Sequence, residues 1–150
     1  MTFRSNDAAW PVWSSAPHHL EPGAGPQALA VALAWVEAQA QHLPAKAQFA
    51  ITLCADEALA NVTQHAQTPA KQAANIWLAC GPTTTGFALE IMDNGLPFDP
   101  TQTEPRPLTD TLEDTPIGGH GLRLMQAYLQ TMLYRRDADR NVLLLEVACG

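Results

Sequence analysis

The chain has 150 residues, 47% of them hydrophobic and only 15% charged, which excludes a disordered protein and at this length predicts a single folded domain over 1–150. Its 15 acidic residues against 8 Lys plus Arg give a formal net charge of -7, which repels a phosphate backbone and excludes nucleic acid as a direct partner. The longest apolar stretch, Leu29 to Val36, is far short of the roughly 20 residues needed to cross a bilayer. Three cysteines without C-x-x-C spacing, and no export signature at the start, fit a reducing, cytoplasmic setting.

Residues 1–27 hold four prolines and two glycines, with Trp10, Val12 and Ser14 alternating, and read as a loose start containing one short edge strand. From Leu29 the apolar residues Leu29, Leu33, Val36, Ala40 and Leu43 recur with a helical period that Pro44 ends. A second helix is predicted from Ala47 to about Ala66, with Phe49, Leu53 and Ala60 on one side and a polar stripe of Glu57, Asn61, Gln64 and His65 on another. Residues 74–93 read as a hairpin, because Ile76, Leu78 and Cys80 alternate, a turn follows, and Phe87, Leu89 and Ile91 alternate again. Asp93 shares the parity of the last three and is expected on the buried face. The stretch 96–117 carries five prolines and five acidic residues without a sustained period and is expected to be a functional lid. Gly118-Gly119-His120-Gly121 then opens a helix to about Gln130, and two strands follow, roughly 131–136 and 141–148.

Three pieces carry chemistry: Glu57 to Asn61 on a helix, Asp93-Asn94-Gly95 at a strand end, and Ile117-Gly118-Gly119-His120-Gly121-Leu122 at a helix start. Each alone is commonplace, since helical Glu/Asn pairs are usually solvated and Asp-x-Gly is usually a turn. In this order, with a Pro-rich segment between the last two, they resemble the N box and the two glycine boxes of the GHKL ATPase superfamily over about residues 47–148. Within it, Asp93 to Pro100 and the closing segment from Tyr134-Arg135-Arg136 to Asn141-Val142-Leu143 resemble the anti-sigma-factor serine/threonine kinases of RsbW type. The resemblance implies an α/β fold, a two-layer α/β sandwich of the Bergerat or histidine-kinase-like ATPase type, with a mixed, mainly antiparallel sheet and helices on one face. It implies ATP and Mg²⁺ as cofactors, with 96–117 as the ATP lid. It further implies a sigma factor or equivalent regulator as partner, a STAS-domain anti-sigma factor antagonist as phosphorylation substrate, and leaves room for a homodimer.

Elementary chemistry gives each residue type a reason. A carboxylate at a buried strand end, Asp93, can accept a hydrogen bond from the exocyclic amine of adenine, where guanine carries a carbonyl oxygen. Gly95 removes a Cβ where a flat base approaches. Gly118, Gly119, His120, Gly121 and Leu122 present backbone N–H groups at a helix N-terminus, which favours phosphate, and His120 matters there more for its N–H than its ring. Asn61 offers an amide oxygen to Mg²⁺, and Glu57, one turn earlier on the same face, is the candidate general base. Asp56 points off that stripe, His65 reads as a structural residue, and adjacent His18 and His19 lack the partners of a metal site. The four tryptophans read as packing residues rather than base-stacking platforms.

One departure stands out: Thr115, Pro116 and Ile117, just before the glycines, include no cation for the γ-phosphate, and the nearest are Arg123 and Arg106. Two alternatives therefore stay open beside the kinase: a nucleotide-dependent regulatory module without turnover, and a histidine-kinase-like ATPase domain acting in trans. The latter is disfavoured by the lack of a His-bearing helix pair ahead of the first helix.

Overall fold

A computed structural model describes residues 11, 13, 18–20, 25–102 and 119–149. Among them the order is β1 (His18–Leu20), α1 (Gly25–Ala40), α2 (Ala45–His65), β2 (Ile76–Pro82), β3 (Gly86–Asp93), α3 (Gly119–Tyr128), β4 (Thr131–Asp137) and β5 (Arg140–Ala148). The strands form one sheet in the order β1-β2-β3-β5-β4, and all of its pairings are antiparallel. Two hairpins, β2–β3 and β4–β5, supply the antiparallel neighbours directly. The passage through α3 carries the chain from β3 to the far edge, and β5 returns inside.

α2 lies on β3 and β5, with α1 and α3 packed beside it. The sheet's inner face, through Leu78, Phe87, Leu89, Ile91, Leu143, Leu145 and Val147, meets the helices in a single core. This is the expected two-layer sandwich. Its alternation follows the strand period: Phe87 and Ile91 point inward, while Ala88 points to the other face with Leu133 and Leu144, beneath Trp13. On that outer face burial raises the Glu90 carboxyl above its ordinary range.

An edge strand within residues 1–27 is present at His18–Leu20, and Trp10, Val12 and Ser14 lie outside the described residues. Three details differ from the sequence expectations. The sheet is wholly antiparallel among the described residues rather than mixed, because hairpins supply its neighbours. α1 starts at Gly25, four residues before Leu29, because Pro26 falls in its first turn, where a proline costs no hydrogen bond. On α2 the buried residues are Ala47, Ala50, Ile51, Cys54, Ala55, Ala58 and Leu59, not the Phe49, Leu53 and Ala60 side, and Phe49 is 56% exposed. Alanines at four of those seven positions let the helix lie close to the sheet, so close approach decides the buried face rather than residue size. His18 and His19 point apart and stack on Trp35 and Trp77, with ring centroids 5.3 and 5.2 Å apart. No helix among the described residues is long and apolar enough to cross a membrane.

Candidate nucleotide site

Asp93 ends β3 on the inner face, as its parity predicted, and only 5% of it is exposed. Its neighbours across the ladder are Ile76 on β2 and Asn141 on β5. Both hydrogen bonds that described residues give its carboxylate arrive at Oδ1, from the Gly95 N–H at 2.9 Å and from Asn141 Nδ2 at 3.0 Å. No hydrogen bond to Oδ2 comes from the described residues.

The turn after Asp93 is fixed to the rest of the molecule. The Asn94 side chain accepts from the Asn75 N–H at 2.7 Å, the Leu96 N–H donates to the Gln67 carbonyl at 2.8 Å, and Arg136 Nη1 donates to the Gly95 carbonyl at 2.8 Å. Gly95 is buried, and a Cβ there would stand 2.9 Å from Asp93 Oδ1 and 3.2 Å from Ala66 Cβ. The site thus lies beneath the C-terminal end of α2, and the glycine makes the close approach between them.

α2 carries Glu57 and Asn61, both half-buried, four residues apart and therefore one turn apart on one face. Asn61 is five residues from Ala66, which places it about 7–8 Å along the helix from the point where Gly95 touches α2. Cys54, one turn before Glu57, lies in the core, and burial, with the Glu57 charge adding to it, pushes its thiol up to about 12. This cysteine is a packing residue, not a nucleophile, at neutral pH.

α3 begins at Gly119, where the glycine motif predicted a helix start; Gly118 and the side chains of His120 and Leu122 lie outside the described structure. Tyr128, at its other end, packs edge-on against Phe49, with centroids 5.6 Å apart. Phe49 sits near the start of α2, so the C-terminal end of α3 packs against that part of α2.

Of the segment 96–117, residues 96–102 are described and 103–117 are not. The described part is held in place: the Phe98 N–H donates to Asn141 Oδ1 at 3.1 Å, Asn141 Nδ2 donates to the Leu96 carbonyl at 2.9 Å, and a 3₁₀ turn follows at Pro100–Gln102. Arg106 lies outside the described residues, and Arg123 is half-buried and engaged within the protein. No group of three or more His, Cys, Asp or Glu side chains among the described residues could hold a metal ion. The Asn61 amide, a neutral oxygen donor, suits a hard cation whose remaining ligands come from a bound triphosphate.

Three residues of this site, Asn141, Tyr134 and Arg136, stood in the sequence only as part of the resembling closing segment, with no role assigned to them. All share the inner-face parity of Leu143, since Asn141 pairs with Asp93 and Arg136, and Tyr134 pairs with Leu143. A polar residue in register with the core positions of the closing strand was the available signal. Burial pushes the Tyr134 phenol above its ordinary range, so at neutral pH it is a hydrogen-bond donor.

Known proteins match this architecture. The family model for the histidine kinase-like ATPase domain matches residues 20–147. The serine/threonine-protein kinase BtrW of Bordetella bronchiseptica is 44% identical over 116 residues, covering 76% of this chain and 81% of that protein. Among solved structures, the histidine kinase domain of the Erythrobacter litoralis EL346 blue-light activated histidine kinase superposes with a TM-score of 0.53 at 14% identity, covering 82% of this chain. The longer EL346 structure gives 0.54 at the same identity. The chain spans 60% and 41% of those two solved chains, and at this identity the likeness concerns the fold alone.

Proposed function

The chain belongs to the histidine kinase-like ATPase domain family, and from that premise we propose that it is an ATP-dependent serine/threonine protein kinase acting as an anti-sigma factor in a cytoplasmic partner-switching system. Its substrate in this reading is a STAS-type antagonist, and its second partner a sigma factor or equivalent regulator. The observation that carries the nucleotide part is the buried Asp93 carboxylate, pinned through Oδ1 by two described donors while no described residue donates to Oδ2. The similarity to a protein named as a serine/threonine kinase supports the transfer chemistry.

The residues divide the work by position. Asp93 accepts the adenine 6-amino hydrogen, and the absent Cβ of Gly95 keeps that carboxylate uncrowded. Backbone N–H groups at the start of α3, with the helix dipole behind them, hold phosphate oxygens. The Asn61 amide oxygen would help hold a Mg²⁺ ion accompanying the triphosphate, and that ion would supply neutralisation of phosphate charge. Glu57 takes the proton of the acceptor hydroxyl as its oxygen bonds to the γ-phosphorus and the bond from that phosphorus to the β–γ bridging oxygen breaks. The products are the phosphorylated serine or threonine and ADP, with the proton on Glu57.

One observation favours a second reading, a nucleotide-dependent binding module without turnover: Arg123, the described cation nearest the glycine motif, is engaged within the protein. Incubating the protein and its co-purifying partners with γ-labelled ATP and Mg²⁺ separates the two. The kinase reading requires label on a serine or threonine of a STAS-domain protein. Nucleotide binding without any transfer selects the module instead.

A further inference from the structure

Asn141 stands second in β5, directly across the ladder from Asp93, and is 6% exposed. Its side-chain amide makes four hydrogen bonds. Nδ2 donates to Asp93 Oδ1 at 3.0 Å and to the Leu96 carbonyl at 2.9 Å, while Oδ1 accepts from the Phe98 N–H at 3.1 Å and from the Tyr134 hydroxyl at 2.6 Å. An amide has two N–H donors and two acceptor lone pairs, so its capacity is filled. The orientation is also unambiguous. Flipping the amide would set its oxygen against a carboxylate and a carbonyl, and its NH₂ against the Phe98 N–H.

From this geometry we infer that Asn141 is a positioning residue for base recognition: it holds the Asp93 carboxylate in the rotamer that presents Oδ2 to the 6-amino group, and ties that rotamer to the backbone of residues 96–98. The inference rests on the ATP reading above. Two independent features support it beyond the contact itself. Among the described residues Asp93 Oδ1 has two donors, and one of them, the Gly95 N–H, is two residues away on the same turn, so Asn141 is the described anchor that reaches it from a neighbouring strand. The same amide holds both Leu96 and Phe98, whose side chains are 53% and 62% exposed and so contribute little packing of their own. A buried network in which every member is satisfied fixes one arrangement, and removing its hub frees the carboxylate to turn.

The test compares ATP with purine riboside 5′-triphosphate, which has hydrogen in place of the 6-amino group, by calorimetry on the whole protein. Wild type is expected to prefer ATP. Asn141→Ala should weaken ATP tenfold or more while leaving the purine analogue within twofold, because the lost interaction runs through the amine. Tyr134→Phe removes one of the four bonds and leaves Asn141 held by three; it should weaken ATP two- to fivefold with no change for the analogue. This variant serves also should Asn141→Ala fail to melt cooperatively. Equal weakening of both nucleotides in Tyr134→Phe and any folded Asn141→Ala would assign the network a purely structural role and overturn the inference. Unchanged discrimination in the variants beside a discriminating wild type would overturn it too, while leaving the ATP reading intact. A wild type that binds both nucleotides equally would remove the adenine reading and the role of Asn141 together.

Discussion

Replacing Gly95 by alanine adds one methyl group at the tightest point of the site. Its Cβ would stand 2.9 Å from Asp93 Oδ1, 3.2 Å from Ala66 Cβ and 3.2 Å from the Gln67 backbone nitrogen. None of these neighbours yields readily. Asp93 is 5% exposed and tethered by Asn141, Ala66 follows directly on α2, and the Gln67 carbonyl accepts the Leu96 N–H. Overpacking of this kind costs about 1–3 kcal/mol. For a chain of this size each kcal/mol lowers Tm by about 2–4 °C, so a fall of roughly 2–12 °C is expected. The carboxylate is the group pushed, so ATP should also bind less tightly, by about fivefold if one hydrogen bond of about 1 kcal/mol is lost. Thermal melting reads the first effect and calorimetric titration the second. A Gly95→Ala protein that melts within about 1 °C of wild type and binds ATP equally would refute the close packing of this turn against α2.

Glu57→Ala should leave ATP affinity near that of wild type and cut phosphorylation of the antagonist by about 10²-fold or more, the scale for losing a general base; full activity would move that role to another residue, with Asp56 the next to test. Asn61→Ala should differ, weakening ATP binding in Mg²⁺ more than in EDTA, and an equal loss in both media would remove the amide from the cation. Cys54 gives a pH signature. Its folded thiol is raised from 9.0 to about 12, so the native state keeps a proton the unfolded chain gives up, and stability is held below pH 9 and lost as pH rises toward 12. Urea melts from pH 8 to 10.5 should show a shallower alkaline decline in Cys54→Ala than in wild type, and parallel declines would count against burial of this thiol.

Much of the fold was legible because its signals are local. Pro44 breaks the helical layer where the apolar period stops, the alternation through Ile91 sets the face of Asp93, and Gly119 opens α3. The buried side of α2 was not legible. Alanine-rich sequence offers apolar surface all round, and the sheet's demand for close approach, a tertiary effect, turned Ala47, Ala55 and Ala58 inward and left Phe49 outside against Tyr128. The site divides the same way. Asp93, Gly95, Glu57 and Asn61 lie within short motifs, but the contact of Asn141 with Asp93, 48 positions away, comes from strand register, which the closing segment's sequence does not record. Its Asn-Val-Leu context shows a polar residue at a core parity only once β5 is known to lie beside β3.

Calorimetric titration of ATP into wild type and Asp93→Asn tests the proposed recognition of ATP through the Asp93 carboxylate. Measurable binding to wild type and at least tenfold weaker binding to the variant, about 1.4 kcal/mol, are expected, with both proteins equally folded by circular dichroism. Equal affinity in the two proteins would contradict it.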